Sequence, residues 1–203
     1  MSSNVEASAT ALLICDLQND FLAPKGAYRR AGLGSPELAA IPAKVKPFAD
    51  LLRADGGWIV STHFTLVPGR NDEPLISPHL KTLRPFLRKG DFAPGGWGHA
   101  LVDILAPADF TVEKVAYSAF YMSRLEWVLR KLGIARLYVC GIVTNGGVAS
   151  TVRDAHVRDF EVVVLEDGCG AFSRELHDTA IAGLRSLCKV ETIAQGIAEL
   201  EAA

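Results

Sequence analysis

Apolar residues follow two alternating patterns along the chain. Continuous apolar runs, such as ALLIC at 11–15, are typical of strands buried on both faces of a sheet. Runs of this kind predict strands at 11–15, 58–62, 110–115, 137–142, 161–167 and 190–194. Helical spacing predicts helices at 35–53, 145–158 and 174–187, with a further one between Ser123 and Gly133. This alternation predicts an α/β fold, a three-layer α/β/α sandwich around a doubly wound six-stranded parallel sheet.

Local signals mark where two of these helices begin and end. Ser35 is the expected N-cap of the first helix, with Pro36 at its first helical position. Ser123 and Glu126 have the spacing of a capping box, and Gly133 is expected to close the helix that follows.

A long segment rich in proline and glycine separates the second and third predicted strands. Connections of this length usually shape a binding site or are disordered. Its large apolar residues favour packing over disorder, namely Phe64, Leu75, Leu83, Phe86, Phe92 and Trp97.

Composition and charge narrow the classes of partner. The 203 residues are 49% hydrophobic and 22% charged, which is typical of one globular domain, here residues 1–203. A net charge of −2 gives no strong field for nucleic acid or anionic membranes, so neither is an expected partner. The first residues lack a basic region and the apolar run before Asp16 is short, which predicts a cytoplasmic protein. The cysteines have no CxxC spacing and are expected as reduced, mostly buried thiols, namely Cys15, Cys140, Cys169 and Cys188.

Polar residues stand where several predicted strands end. Asp16 ends the first strand, His63 lies near the end of the second, Lys114 ends the third, and 144–147 follows the fourth. Ligands of open parallel sheets bind at the carboxyl ends of the strands. An acid, a cation and free backbone N–H groups at that edge are the components of a hydrolase site with an oxyanion or carboxylate cradle. Taken singly, each residue also has an ordinary explanation as a turn or solvent-exposed residue.

Other functional classes find little support in the motifs. Neither GxGxxG nor GxxxxGK[ST] follows a strand, so nothing indicates a nucleotide site. Four histidines lack metal-ligand spacing and are interpreted as surface or structural residues, namely His79, His99, His156 and His177.

Three segments together carry a family resemblance. ALLICDLQNDFLAPKGA, EKVAYSAF and GIVTNGGVASTVRDAHVRDFEVVVLEDGCGAF resemble, in order and spacing, the signature segments of the isochorismatase-like (cysteine hydrolase) superfamily. The resemblance covers nearly the whole chain and implies Asp16 and Lys114 as catalytic residues. It places Gly147 where the amidases of the superfamily carry a nucleophilic cysteine. Those amidases attack a carbonyl with the thiolate and form an acyl-enzyme. Glycine has no nucleophile, so the resemblance excludes that mechanism for this chain.

A second branch of the superfamily does without the thiol. Its isochorismatases resemble this chain in having glycine at position 147 and a KxxYSAF segment at 114–120. The resemblance implies hydrolysis of a vinyl ether, in which Asp16 protonates the enol-ether carbon and water attacks the oxocarbenium ion. Two features depart from this branch. The turn at 143–145 is similar to that of the amidases, and His63 stands where the isochorismatases have a substrate-contacting glutamine.

The resemblance thus implies a hydrolase that acts on a small substrate without a cofactor. Asp16 is expected as acid or base, Lys114 as its electrostatic partner, and the N–H groups of Val143 and Gly147 at an oxyanion site. A cis peptide bond between Ile142 and Val143 is also expected. The expected substrate-binding positions are Phe21, His63, Tyr117, Phe120, Val143, Thr144 and Gly146.

No metal is expected. The nicotinamidases of the superfamily bind zinc after the second strand, and the matching stretch at 62–66 offers His63 as one ligand. Homologous folds usually pair, and apolar residues such as Phe86, Phe92 and Trp97 predict an exposed surface, so we expect a homodimer or homotetramer.

Other hypotheses remain open. The chain can be an amidase relative of the carbamoylsarcosine hydrolase or nicotinamidase type whose nucleophile is lost. It can also be a catalytically silent binding or regulatory protein. An engineered replacement of a cysteine by Gly147 is a third hypothesis, although glycine also loosens the start of a helix.

Overall fold

The computed structural model of the protein describes residues 6–202 and contains one six-stranded sheet. Every strand pair is parallel and the order is β3-β2-β1-β4-β5-β6. The strands are β1 Thr10–Cys15, β2 Trp58–Phe64, β3 Phe110–Lys114, β4 Arg136–Ile142, β5 Glu161–Gly170 and β6 Lys189–Glu191. The predicted doubly wound parallel sheet is confirmed.

Helices and turns connect the strands. The α-helices are α1 Asn19–Leu22, α2 Ala27–Arg30, α3 Pro36–Ala54, α4 Pro78–Leu83, α5 Leu125–Lys131, α6 Ala149–His156, α7 Arg174–Leu184 and α8 Ile193–Glu201. A π-helical turn, Thr144–Val148, precedes α6. Within residues 6–202, no helix combines the length and the hydrophobicity that a membrane span requires.

The strand β1 is buried over its whole length because helices cover both faces of the sheet. Its residues alternate between two hydrophobic clusters, as the period of a strand requires. Leu13 packs in the cluster that contains residues of α5, α6 and α7. Leu12 packs in the cluster that contains residues of α3 and Ile193 of α8. The layers are therefore helix, sheet and helix, as predicted.

The predicted helix starts are right for α3 and wrong for α5. Ser35 caps α3, its Oγ accepting a hydrogen bond from Leu38 N at 3.2 Å. The expected capping box at Ser123 is absent, because α5 begins at Leu125 and Arg124 occupies the N-cap. Glu126 is then the second residue of the helix, not the third, and cannot accept a hydrogen bond from the N–H of the N-cap residue. Its carboxylate pairs with Arg158 at 2.9 Å instead. Gly133, with φ +69°, follows the end of α5 as expected.

The C-terminal part of the chain differs from the prediction. The strand predicted at 190–194 ends at Glu191, and Ile193 begins α8. A capping box causes this: Thr192 Oγ1 accepts from Gln195 N at 3.2 Å, and Gln195 Oε1 accepts from Thr192 N at 2.8 Å. The T-x-x-Q spacing is the signal that sequence reasoning missed. Elsewhere, β5 extends beyond 167 and includes Cys169, and α7 ends at Leu184, before the predicted 187.

The long segment between β2 and β3 is packed against the sheet edge in part. Phe92 is fully buried and Phe86 is half-buried, whereas Leu75 and Trp97 are exposed. The carboxylate of Asp20 ties this segment to the start of α2, since it accepts hydrogen bonds from Phe92 N at 2.7 Å and from the N–H of residue 27 at 3.0 Å.

Candidate active site

Asp16 and Lys114 form a buried ion pair at the carboxyl edge of the sheet. Asp16 follows β1 in the left-handed conformation, with φ +55°, which aspartate tolerates better than most residues. Its Oδ2 lies 2.7 Å from Lys114 Nζ, and its Oδ1 accepts a hydrogen bond from Thr62 Oγ1 at 3.2 Å. Both side chains are buried, with 5% of the Asp16 side chain and 3% of the Lys114 side chain exposed. The strands β1, β2 and β3 are neighbours, so their ends bring these three side chains together.

Burial and charge act on the Asp16 carboxyl in opposite directions. Removal from water raises the pKa of Asp16, while the Lys114 ammonium and the Thr62 hydroxyl oppose the rise. Lys114 also donates a hydrogen bond to Ala116 O at 3.0 Å. The ionised pair is neutral as a whole, and burial makes protonation of its carboxyl easier than in water.

Gly147 lies beside this pair, in the turn after β4. The Ile142–Val143 peptide bond is cis, as expected, and the turn Thr144–Val148 follows it. A β-carbon built on Gly147 would stand 3.3 Å from Asp16 Oδ2 and 3.3 Å from Ile142 O. A side chain at this position would thus adjoin the carboxylate, and its neighbours would have to shift by a few tenths of an ångström.

Gly141 allows β4 to approach the end of β1. Its φ is +119°, and a β-carbon there would stand 2.0 Å from Cys15 O. Glycine is required because both the conformation and the close approach exclude a side chain. The approach places the turn after β4 next to Asp16.

A cavity of about 240 Å³ opens at the ion pair. Asp16, Lys114 and Gly147 line it together with residues of the long segment between β2 and β3. The apolar walls include five aromatic side chains, namely Phe21, Tyr28, Phe64, Tyr117 and Phe172. Ser77, His79 and Arg84 add polar groups. The cavity can hold one small molecule against the Asp16 carboxyl.

The structure brings together some of the predicted substrate-binding residues. Phe21, Tyr117 and Val143 line the cavity, whereas four other predicted positions do not, namely His63, Phe120, Thr144 and Gly146. The missed residues include Tyr28, His79, Arg84 and Phe172. The unusual length and apolar content of the segment at 66–109 was the one signal that pointed towards His79 and Arg84.

Three of the four predicted positions outside the cavity have other contacts. Phe120 is buried in the core, with its ring centroid 6.0 Å from that of Phe160. Thr144 is fully buried and its Oγ1 lies 2.9 Å from His177 Nδ1. Gly146 packs behind Tyr117, because a β-carbon there would be 3.2 Å from Tyr117 Cε1.

His63 is displaced from the site by the alternation of side chains along β2. Thr62 contacts Asp16 and Phe64 lines the cavity, so His63 between them projects to the other face. It is 5% exposed, its Nε2 lies 2.9 Å from Ser61 Oγ, and its ring centroid is 5.0 Å from that of His99. Burial lowers the pKa of His63 to about 4.

The surroundings of His63 do not fit a zinc site of the nicotinamidase type. Its neighbours Thr62 and Phe64 are not zinc ligands, and residues 6–202 contain no group of three or more His, Cys, Asp or Glu placed to hold a metal ion.

The cysteines lie away from the cavity. Cys15, Cys140 and Cys169 are buried and Cys188 is half-buried, and none is among the described residues that line the cavity. Burial raises the pKa of Cys15 to about 12 and that of Cys188 to about 11, and it also raises the pKa values of the other two thiols. None of the four can take the place of a thiolate at position 147.

Sequence comparison identifies the family. The isochorismatase domain matches residues 10–195, which is most of the chain. The chain belongs to the isochorismatase domain family. This family member is 35% identical over 176 residues to the ureidoacrylate amidohydrolase RutB of Azorhizobium caulinodans, covering 81% of the chain and 77% of that relative. It is 33% identical to RutB of Stutzerimonas stutzeri, covering 98% of the chain and 82% of that relative.

Solved structures of other proteins share the fold. A cysteine hydrolase from Pseudomonas syringae pv. phaseolicola superposes with a TM-score of 0.83 at 23% identity and covers 100% of this chain and 99% of its own. The nicotinamidase/pyrazinamidase PncA of Bacillus subtilis superposes with a TM-score of 0.72 at 26% identity, covering 90% and 98%. The predicted family and architecture are both confirmed.

Proposed function

We propose that the protein is a cofactor-independent hydrolase that acts on a small substrate through Asp16 and Lys114, with water in place of a cysteine nucleophile. One observation carries the proposal: a buried Asp16–Lys114 pair lines a small cavity directly beside a residue without a side chain, Gly147. The space in which the amidases of the family hold a thiol is left for substrate or water.

Asp16 acts in this proposal as a general acid on an enol-ether substrate. Burial raises the pKa of Asp16 and so makes the protonated carboxyl more accessible, and this acid can give its proton to the terminal carbon of the enol double bond. Water then adds to the oxocarbenium carbon and loses a proton, and the hemiketal separates into a ketone and an alcohol. The proton that water loses restores the acid.

Lys114 stabilises the carboxylate that proton transfer leaves on Asp16. Its Nζ lies 2.7 Å from Oδ2, so no rearrangement is needed when the negative charge appears. If the substrate is instead an amide or urea, the N–H groups of Val143 and Gly147, two residues that line the cavity, would supply the dipoles for the oxyanion that develops on its carbonyl.

The relatives support a second candidate function, the hydrolysis of a small amide or urea. The RutB enzymes are named ureidoacrylate amidohydrolases and match 81% and 98% of the chain. For such a substrate Asp16 would act as a base that activates water, because Gly147 provides no thiol.

An activity screen with isochorismate, small amides and ureas tests both candidates, with Asp16→Asn as the decisive variant. We expect Asp16→Asn to lower turnover at least about 100-fold, since general acid–base catalysis contributes on the order of 10²–10⁴. Asp55→Asn, a change at an exposed aspartate after α3, is the matched control and should leave turnover unchanged. Full activity in a folded Asp16→Asn protein would refute the mechanism, and no turnover of any compound would favour the silent binding protein.

The pH profile separates the two candidates. If Asp16 is an acid, kcat/KM falls as the pH rises through its raised pKa, and if it is a base, kcat/KM rises over the same interval. Iodoacetamide should leave the activity of either enzyme intact, because no described cysteine lines the cavity and the thiols carry raised pKa values.

A further inference from the structure

We propose that Arg84 binds an anionic group of the substrate, so that the cavity selects small carboxylates with a flat, apolar body. This inference deepens the proposed function, and it rests on that function insofar as the molecule bound is also the molecule hydrolysed. It follows from the balance of charge in the cavity and from the contacts that position Arg84.

The cavity carries one uncompensated positive charge. Among the described residues that line it are one lysine, Lys114, and one arginine, Arg84. The charge of Lys114 is balanced by Asp16 at 2.7 Å when that carboxyl is ionised, and a protonated Asp16 would leave the cavity still more positive. Within residues 6–202, no carboxylate lies within salt-bridge distance of Arg84, which is half-buried. A partly desolvated cation in an otherwise neutral cavity attracts an anion.

Two hydrogen bonds hold the Arg84 guanidinium in place. Its Nε donates to the Tyr28 hydroxyl at 3.0 Å and its Nη1 donates to Leu83 O at 2.9 Å. Among the described residues, Nη2 has no hydrogen-bond partner, so donors remain for a ligand. A planar guanidinium that is already positioned loses little freedom when it binds a planar carboxylate.

The walls beside Arg84 fit a flat apolar group. The Tyr28 ring stacks on Phe172 with an interplanar angle of 1° and a centroid distance of 5.5 Å. Phe21 also contacts the Tyr28 ring, with a distance of 4.7 Å between the two ring centroids. The volume of about 240 Å³ is below the roughly 300–1,000 Å³ of sites for drug-sized ligands. The bound molecule is therefore small, on the scale of one ring or a short conjugated chain.

Anion binding and bond cleavage are assigned to different parts of the chain. Arg84 follows α4 in the long segment between β2 and β3, whereas Asp16 and Gly147 belong to the edge of the sheet. Binding by Arg84 can thus be measured without turnover.

Titration calorimetry with benzoate and nitrobenzene tests the inference, because these planar molecules have nearly the same shape and only benzoate is charged. We expect the wild-type protein to bind benzoate at least 10-fold more tightly than nitrobenzene. Arg84→Gln should bring the ratio close to one, and Arg84→Met is a second neutral variant in case the first does not fold. Arg88→Gln removes an exposed arginine outside the cavity lining and should preserve the wild-type ratio.

Three results would overturn the inference: equal affinities in the wild-type protein, no binding of either probe, or a preference for benzoate that survives loss of Arg84. The proposed function fails by a different result, the absence of Asp16-dependent turnover. Benzoate selectivity without turnover would leave Arg84 as the anion-binding residue of a non-catalytic protein. Asp16-dependent turnover without benzoate selectivity would refute the role of Arg84 alone.

Discussion

At the scale of single residues, Gly147 has a hydrogen atom where a side chain would contact the Asp16 carboxylate. A β-carbon at this position would stand 3.3 Å from Asp16 Oδ2, and its backbone conformation is one that other residues adopt. The identity of residue 147 therefore determines whether a nucleophile or free space faces the acid.

We expect Gly147→Cys to lower the native activity by about 10- to 100-fold without creating amidase activity, because the thiol would fill the volume used by substrate or water. Steady-state kinetics against isochorismate and a panel of amides would measure both effects. The opposite result, new amide turnover, would support the hypothesis of an amidase that lost its nucleophile, since Asp16 and Lys114 are both in place to activate a thiol. Gly147→Ala is the matched control, as it adds the β-carbon without the sulfur.

His63 makes the stability of the protein depend on pH. The unfolded chain takes up a proton on this residue below about pH 6.5, whereas in the folded protein burial lowers the pKa to about 4. The unfolded state thus binds more protons between these values, and the folded state loses about 3 kcal/mol of stability as the pH falls from 7 to 4.

Urea unfolding of the wild-type protein and His63→Gln over this pH range would test the effect. The variant should lack the part of the loss that comes from His63, while His99 and His177, whose pKa values burial also lowers, keep their own parts. His156→Gln, at an exposed position of α6, is the control and should follow the wild-type curve. Identical slopes for the wild type and His63→Gln would contradict the assignment.

At the scale of elements, the site depends on how closely β4 approaches β1. Gly141 has φ +119°, and a β-carbon built on it would stand only 2.0 Å from the carbonyl oxygen of Cys15, the residue before Asp16. The end of β1 and the turn after β4 are adjacent because position 141 has no side chain.

Gly141→Ala should therefore destabilise the fold by about 3 kcal/mol or more, since backbone atoms of β1 or β4 must move. Gly133→Ala is the matched control: Gly133 also has a positive φ, +69°, but its β-carbon would meet nothing within 4 Å. The control should cost only the left-handed conformation, about 1–2 kcal/mol. Chemical denaturation measures both values, and equal losses in the two variants would show that the close approach has no energetic consequence.

At the scale of the whole molecule, large apolar side chains are exposed on the described surface. The expected exposure of Phe86 and Phe92 is wrong, since Phe92 is buried and Phe86 is half-buried, while Trp97 is 55% exposed. Exposed apolar residues instead occur between β3 and the first turns of α5, namely Tyr117, Tyr121, Met122 and Trp127.

A homodimer or homotetramer remains the prediction, because single chains rarely leave several large apolar side chains of one segment in water. Light scattering at micromolar concentration should give a mass of two or four chains of 21.8 kDa. A mass of one chain would contradict the prediction. Met122→Lys and Trp127→Lys, two changes at exposed positions, should shift the mass towards the monomer, whereas Val157→Lys, at another exposed apolar position, serves as the control.

Patterns that are local in the sequence were sufficient to predict the fold and the centre of the candidate site. The spacing of apolar residues indicates which side chains are buried, and it predicted the six strands and four of the eight α-helices, namely α3, α5, α6 and α7. Asp16 and Lys114 were predicted to meet because both end parallel strands, and parallel strands end at one edge. The family resemblance added Gly147 and the cis bond before Val143.

Contacts between distant segments determined the rest. His63 was expected in the site because it lies near the end of β2, but the alternation of side chains along that strand turns it towards His99. Arg84 entered the site because the long segment folds back over the sheet edge and meets Tyr28 of α2, and no periodicity describes the path of such a segment. The raised pKa of Asp16 likewise arises from burial, which depends on how helices, sheet and this segment pack together.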